Sequence, residues 1–355
     1  MVPPPGPARP LSPHIALKHE LLVRYLDVWT PSVLHGAHRV SYAEGYAAVG
    51  VTPGREEGSA GAALRVFGEF ADRLAGHELA MVLVDTDQGR LDALAERLAG
   101  VRAEHGSPPG LTVHTARGTC ADDLVPALAG ALAAPIFSYL DAAGSPPPPL
   151  ATVTGVARHR RSELLVVLDP ALLARLAAGD EPPETGDALF GDSAWRRGTD
   201  YPDLVTSYRH ALRHAGLSDV VHAELVAADG AAELLFFGTR SAKNLEKFKA
   251  ELWAVDEYAG VRYRDPRDDE HELLDVSFSP SLGPLRRALL AAVTSSGSQT
   301  VADLRRFTLA ETMYTTADAN RALGALLSGG ALAREPAKGH LGADTVLRPA
   351  SRAGR

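Results

Sequence analysis

Cysteine is nearly absent. Cys120 is the one thiol in 355 residues, so the chain closes no internal disulfide and completes no cysteine-based zinc or iron–sulfur site by itself. No apolar run approaches the ~20 residues that cross a bilayer. Residues 1–13 are rich in proline and lack the apolar core of a signal peptide. There is no HExxH, and the one histidine pair at i, i+4, His210 and His214, lies beside Arg209 and Arg213, whose charge opposes a bound cation. A net charge of −8 excludes a protein that coats nucleic acid or anionic membrane with its whole surface, because that needs spread Lys and Arg. These absences predict a cytoplasmic protein with a disordered head at 1–13 and no membrane segment.

What is present is a long alternation of helical and strand-like patterns. Ile15 to His35 carries Leu17, Leu21, Leu22, Tyr25, Leu26 and Trp29 at helical spacing, predicting one apolar stripe on a core. Strands are predicted at 40–44, 79–85, 111–116, 135–141 and 163–168, with helices at 59–74, 88–104 and 121–133 between them. The 79–85 run, LAMVLVD, has the near-continuous apolarity of a central strand covered on both faces. Such alternation builds right-handed βαβ units and a parallel sheet. Near residue 219 the pattern changes: 219–228 and 233–239 flank Asp229-Gly230 and read as an antiparallel hairpin. A parallel sheet ending in an edge hairpin predicts the methyltransferase variant of the doubly wound α/β (Rossmann-like) fold, with S-adenosylmethionine as its cofactor.

From about residue 282 three short amphipathic segments (285–293, 301–307 and 318–328) precede two short strands at 331–335 and 345–348, the plan of a winged-helix-like domain. The expected division is a head at 1–13, a methyltransferase-like domain at 14–281, a winged-helix-like domain at 282–348 and a tail at 349–355.

In an open parallel sheet the ligand lies beyond the carboxyl ends of the strands, where strand order reverses. Four segments therefore become candidates. After the first strand, Glu44 is placed to accept from the amino group of a bound methionine moiety, while Gly45 and Gly50 keep the loop flat; the alternative is a loop that merely turns under the sheet. Asp85, closing the second strand, is placed to hydrogen-bond both hydroxyls of an adenosine ribose; its neighbour Asp87 suits a helix N-cap. After the third strand, Asp122 either meets the adenine amino group or caps the next helix, and Cys120, with no base beside it in sequence, reads equally as a small semi-buried residue. Asp141, closing the fourth strand, is the catalytic candidate, orienting a nucleophilic nitrogen beside the methyl group.

With these residues in hand, the chain resembles the three-Cys-motif partner family (TcmP) over roughly residues 15–335. Lys18, Tyr25, Leu26 and Trp29 are similar to its K-x-x-x-L-x-x-Y-L-x-x-W opening. Glu44, Tyr46, Ala47, Ala48, Gly50, Gly58, Ser59 and Ala60 match its cofactor-loop pattern, and Phe190-Gly191, Trp195, Tyr208 and Leu212 its central segment. Leu234 to Arg240, leading through Lys243, Leu245 and Lys249 to Trp253, resembles its L-x-F-x-T-x-H strand and the following M-K-x-x-x-W helix; Leu304, Glu311-Thr312 and 322–332 resemble its C-terminal helices. Glu44 stands for the family's Asp, Ala48 for its Gly, and Asp141-Ala142-Ala143-Gly144 for its Asp-Pro-Phe-Gly. The resemblance implies a methyltransferase-like protein working with a radical-SAM partner on a nucleic acid or modified nucleotide; the departures leave open a catalytically degenerate scaffold that keeps the fold.

Residues 282–355 hold ten Lys and Arg against five Asp and Glu. Two readings follow: a packing domain with ordinary solvated arginines, which is the favoured one, or weak nucleic-acid contact through phosphates from Arg305, Arg306 and Lys338, with no base reading. Affinity for duplex DNA, measured by fluorescence anisotropy, is then expected to fall steeply between about 50 and 200 mM salt; binding indifferent to salt discards the contact.

Overall fold

The computed structural model describes residues 13–48, 58–70, 72–73, 76–106, 109–131, 135–142, 144–198, 200–255 and 260–350. The expected alternation is present: α1 (Pro13–Leu34), β1 (Arg39–Glu44), α2 (Gly58–Glu69), β2 (Glu78–Asp85), α3 (Gln88–His105), β3 (Leu111–Arg117), α4 (Leu124–Ala131), β4 (Ile136–Asp141), α5 (Leu150–Ala157) and β5 (Glu163–Leu168). Helices α6 (Pro170–Ala178), α7 (Pro183–Phe190) and α8 (Tyr201–His214) lead to the hairpin β6 (Asp219–Val226) and β7 (Ala232–Thr239). Helix α9 (Ala242–Trp253) and the short strands β8 (Arg262–Arg264) and β9 (Leu274–Asp275) follow.

The strands form one sheet in the order β3-β2-β1-β4-β5-β7-β6-β8-β9. β1 to β5 pair in parallel, while β7 runs antiparallel to both β5 and β6. Strand order reverses between β1 and β4, which makes that point the expected ligand crevice. Side-chain alternation divides the core. Tyr42, Met81, Phe137, Leu165 and Phe237 face α1, α2, α3 and α9, whereas Ala43, Val82, Leu140, Val166 and Phe236 face α4 to α8. This is the mostly parallel Rossmann-like α/β sheet with an antiparallel hairpin that the sequence predicts, but the hairpin is not the edge: β6 pairs on with β8 and β8 with β9, two short strands that the sequence did not mark. Among the described residues no helix is long and apolar enough to cross a membrane.

Three helices, α10 (Gly283–Ser296), α11 (Val301–Glu311) and α12 (Thr316–Ser328), end the chain with a three-stranded antiparallel sheet of β10 (Gln299–Thr300), β11 (Leu332–Glu335) and β12 (Val346–Pro349). β10 was not expected, because two residues carry no readable alternation. The packing against the main sheet explains the lysine and tryptophan of α9. The carbonyls at the end of α11 and in the turn after it need partners from outside the helix, and the main body supplies donors: Lys249 Nζ reaches the oxygens of Thr308, Leu309 and Tyr314 at 3.2, 2.6 and 3.1 Å. Trp253 Nε1 reaches that of Met313 at 2.9 Å, and Arg209 that of Ala310 at 2.7 Å. Arg209 also pairs with Glu311 at 2.9 Å. Positive charge at a helix C-terminus is favourable in its own right.

Lys249→Met removes the donor shared by the carbonyls of Thr308, Leu309 and Tyr314, of which Thr308 keeps the Thr312 amide and hydroxyl. Its expected cost is about 2–4 kcal/mol, read as a lower urea midpoint; a loss under about 0.5 kcal/mol shows that the lysine does not hold α11 in place.

Candidate functional site

Three loops leave the carboxyl ends of β1, β2 and β3 and are tied together at Asp85. Its carboxylate accepts from the amide of Ala48 at 3.1 Å and from that of Asp87 at 3.0 Å, and its own carbonyl accepts from Gly118 N at 2.9 Å. Asp87 caps α3, accepting from Arg90 N at 2.8 Å, so the N-cap reading of that residue describes it. Gly45 is sterically required: a Cβ there would lie 2.4 Å from Cys120 Sγ, and only the bare backbone lets the loop after β1 close on the loop after β3.

Around this junction lies a cavity of about 400 Å3, bounded by Gly45, Tyr46, Asp85, Arg90, Thr119 to Asp122, Pro146 and Thr185. That volume suits a small-molecule ligand. The structure thus brings Gly45, Asp85 and Asp122 to one cavity at the switch point. Gly50 lies outside the described residues. Asp122 does not cap α4; its carboxylate accepts from Thr119 Oγ1 at 3.0 Å, and it is Asp123 that takes the Thr119 amide at 2.7 Å. Burial pushes the Cys120 thiol up to about 12, outweighing a hydrogen bond from Tyr46, which suits an inert packing residue.

Two residues stand differently from the expectation. Asp85 is 2% exposed, and one carboxylate oxygen is held by Arg90 at 2.6 Å, a partner that sequence spacing did not suggest. A ribose at Asp85 must therefore displace or share that guanidinium. Glu44 is also 2% exposed and does not line the cavity. Among the described residues its partners are the hydroxyls of Tyr42 at 2.5 Å and Ser59 at 2.8 Å. Burial pushes its carboxyl up to about 8, although both hydroxyls pull it down.

Asp141 lines a second cavity of about 520 Å3, walled by Val167, Leu168, Leu172 and Glu233 and sharing Ser145, Pro146, Pro147 and Thr185 with the first. One oxygen of Asp141 accepts from Lys18 Nζ at 2.6 Å and from Tyr139 Oη at 2.9 Å; Lys18 also reaches Glu233 at 3.0 Å. Burial pulls the Lys18 ammonium down, but the two carboxylates outweigh it and the net displacement is upward. Lys18 and Glu233 were not among the expected site residues. The readable signal was a lysine inside the apolar stripe of α1, next to Leu17 and one turn before Leu21 and Leu22; nothing in the linear sequence pointed to Glu233.

No protein-family model and no curated protein matches the sequence. Among solved structures the chain is similar to Trm1 from Pyrococcus horikoshii, determined in complex with S-adenosyl-L-methionine: 14% identity over 96% of this chain and 91% of that one, TM-score 0.35. It is also similar to CrArsM, an arsenic(III) S-adenosylmethionine methyltransferase from Chlamydomonas reinhardtii, at 13% identity over 61% and 72%, TM-score 0.33. EvdMO1 is matched at 13% identity over 63% of this chain, TM-score 0.37, and this chain spans 42% of its length. At such values none of the three assigns an activity to this chain.

Glu44 generates a pH prediction. Its carboxyl rises from an ordinary 4.5 to about 8 on folding, so the folded state binds the proton more tightly; the stability this confers is complete below about 4.5 and is lost as pH rises through about 8. Glu44→Gln mimics the protonated group and does not titrate. The variant is expected to match the wild type in thermal melting at pH 4.5 and to exceed it at pH 9 by an amount on the order of a few kcal/mol. Parallel pH profiles overturn this assignment.

Proposed function

We propose that the chain is an S-adenosylmethionine-dependent methyltransferase-like protein whose cofactor occupies the cavity at Gly45, Asp85 and Asp122. The observation that carries the reading is the convergence of the loops after β1, β2 and β3 at the point of strand-order reversal, around a cavity that shares Ser145, Pro146, Pro147 and Thr185 with the one lined by Asp141. Asp85 holds the ribose hydroxyls and Asp122 faces the adenine; Glu44, outside the cavity wall and with its carboxyl pushed up to about 8 by burial, is neutral at pH 7 and brings no charge to the methionine end. When bound, the cofactor supplies a methyl group on a positively charged sulfur. Asp141, fixed by Lys18 and Tyr139, orients the acceptor, a proximity effect.

A second reading, a scaffold that keeps the fold without catalysis, is favoured by the Asp85–Arg90 ion pair and by Ala142 standing where a proline would stiffen the turn after Asp141. Association with a radical-SAM partner belongs to the first reading and rests on the family resemblance alone. The C-terminal helices and strands follow the order of a winged helix, and we read them as one. Nucleic-acid contact through that module is the weaker part of the proposal, because Arg305 bonds Asn320, Arg306 pairs with Asp303, Arg321 with Asp318 and Arg348 with Glu335, leaving less positive charge to meet phosphates.

Calorimetric titration with S-adenosylhomocysteine separates the two readings. The wild type is expected to bind. Asp85→Asn weakens binding about tenfold, the loss of one charge-assisted hydrogen bond. Arg90→Ala strengthens it severalfold by releasing the ribose acceptor. Absence of heat at millimolar ligand sinks the cofactor reading and leaves the scaffold.

A further inference from the structure

A third cavity, of about 470 Å3, lies where the far end of the sheet meets the C-terminal helices. One wall is the loop between β8 and β9, fixed by two successive turns in which the amides of Asp268 and His271 donate to the carbonyls of Asp265 and Asp268 at 3.0 and 2.9 Å. Facing it are Leu285 and Ala288 of α10 and Phe307 of α11. Charge is matched at one end of this wall and not at the other. Asp265 is met by Arg267, and Glu311 by Arg209 and Arg213. Asp268, Asp269, Glu270 and Glu272 have only the guanidinium of Arg287, which reaches Asp268, Glu270 and Glu272 at 3.0 Å. Asp269 is exposed and has no ion pair among the described residues, and Glu270 is 61% exposed, so the excess negative charge is open to a ligand.

Water could satisfy carboxylates on an exposed loop; a second feature, at the inner end, asks for more. Tyr263 lines the cavity, is 3% exposed and packs edge-on against Trp253, with ring centroids 5.2 Å apart. Its hydroxyl has no hydrogen-bond partner among the described residues. The ionisable groups that act on that hydroxyl, Asp265, Tyr314, Arg267 and Asp268, all line the same cavity, which directs the hydroxyl into it. A buried phenol normally finds a partner. Burial first, and Asp265 after it, keep this one protonated. A cation carrying N–H groups can use its lone pairs and the carboxylates together, whereas an anion meets the excess charge of the loop.

We propose that this cavity binds a linear aliphatic diammonium ion, of the polyamine class, with one ammonium donating to Tyr263 Oη, the methylene chain against Leu285, Ala288 and Phe307, and the other ammonium at Asp269 and Glu270. A hydrocarbon chain with charged ends uses the apolar wall and the acidic loop at once. Because the sheet edge and the C-terminal helices each supply part of the cavity, the bound ion bridges them and stabilises their docking. The site shares no residue with the cavities at Asp85 and Asp141 and does not rest on the cofactor reading.

The experiment titrates the full chain by calorimetry with probes of one length: the terminal octanediamine, octanediol and octanedioate, and octylamine. Octanediamine is expected to bind more tightly than octanediol by about tenfold, the worth of a charge-assisted hydrogen bond, and octanedioate not to bind. Saturating octanediamine is expected to raise the melting temperature, and octanediol to leave it unchanged. Tyr263→Phe removes a hydroxyl that holds nothing else in the protein, and Asp269→Asn changes an exposed side chain without an ion pair, so both variants are expected to melt as the wild type does and each to bind octanediamine severalfold more weakly. Octanediamine binding no tighter than that of octanediol overturns the inference, as does octylamine binding as tightly as the diamine, or undiminished diamine binding in either variant. Both variants are expected to leave the S-adenosylhomocysteine titration unchanged, and a wild type that binds octanediamine as described without binding S-adenosylhomocysteine keeps this site while losing the cofactor reading.

Discussion

A buried ammonium must be paired, and that constraint organises the carboxyl edge of the sheet. Lys18 is 2% exposed and sits on the first helix; its two carboxylate partners come from the end of β4 and the start of β7, 123 and 215 residues away in sequence. Desolvation of one such charge without a partner is worth several kcal/mol, so helix, central strand and hairpin are held in one arrangement. Because Lys18 takes a single oxygen from each carboxylate, the other two are buried without donors among the described residues. The same ion cluster therefore ties three distant segments together at a cavity that Asp141 and Glu233 help to line.

Asp85 plays the corresponding part for the first cavity, by another route. It gathers three loops through two backbone amides and its own carbonyl, so a carboxylate at this position has a structural use before any ligand arrives. Its pairing with Arg90 would set the proposed ribose contact in competition with an internal ion pair. A guanidinium 41% exposed is the movable member of that pair, since its released charge returns to water at small cost.

The C-terminal helices are joined to this frame by a different device, the capture of helix-terminal carbonyls by buried cations and an indole. Lys249 and Trp253 lie one turn apart on α9 and act on the same turn after α11. In sequence they read as a motif without a reason. Their reason is that a helix end buried against a sheet must have its acceptors satisfied.

The sequence by itself determined the elements and the sheet. Apolar periodicity marked α1, β1 to β5 and the hairpin to within a few residues, because periods of 3.6 and 2 follow from backbone geometry; α2 ended earlier, at Glu69, and α4 began later, at Leu124. It also marked Gly45, Asp85, Asp122 and Asp141 as strand-end candidates, since the carboxyl edge of a parallel sheet follows from its topology. Only the tertiary structure decided which of these side chains meet: that Glu44 is buried against Tyr42 and Ser59 and not in the cavity wall, that Arg90 occupies Asp85, and that Lys18 and Glu233 complete the surroundings of Asp141. Pairing of charges and the reach of long side chains depend on distances between segments far apart in the chain, and no local periodicity encodes those distances.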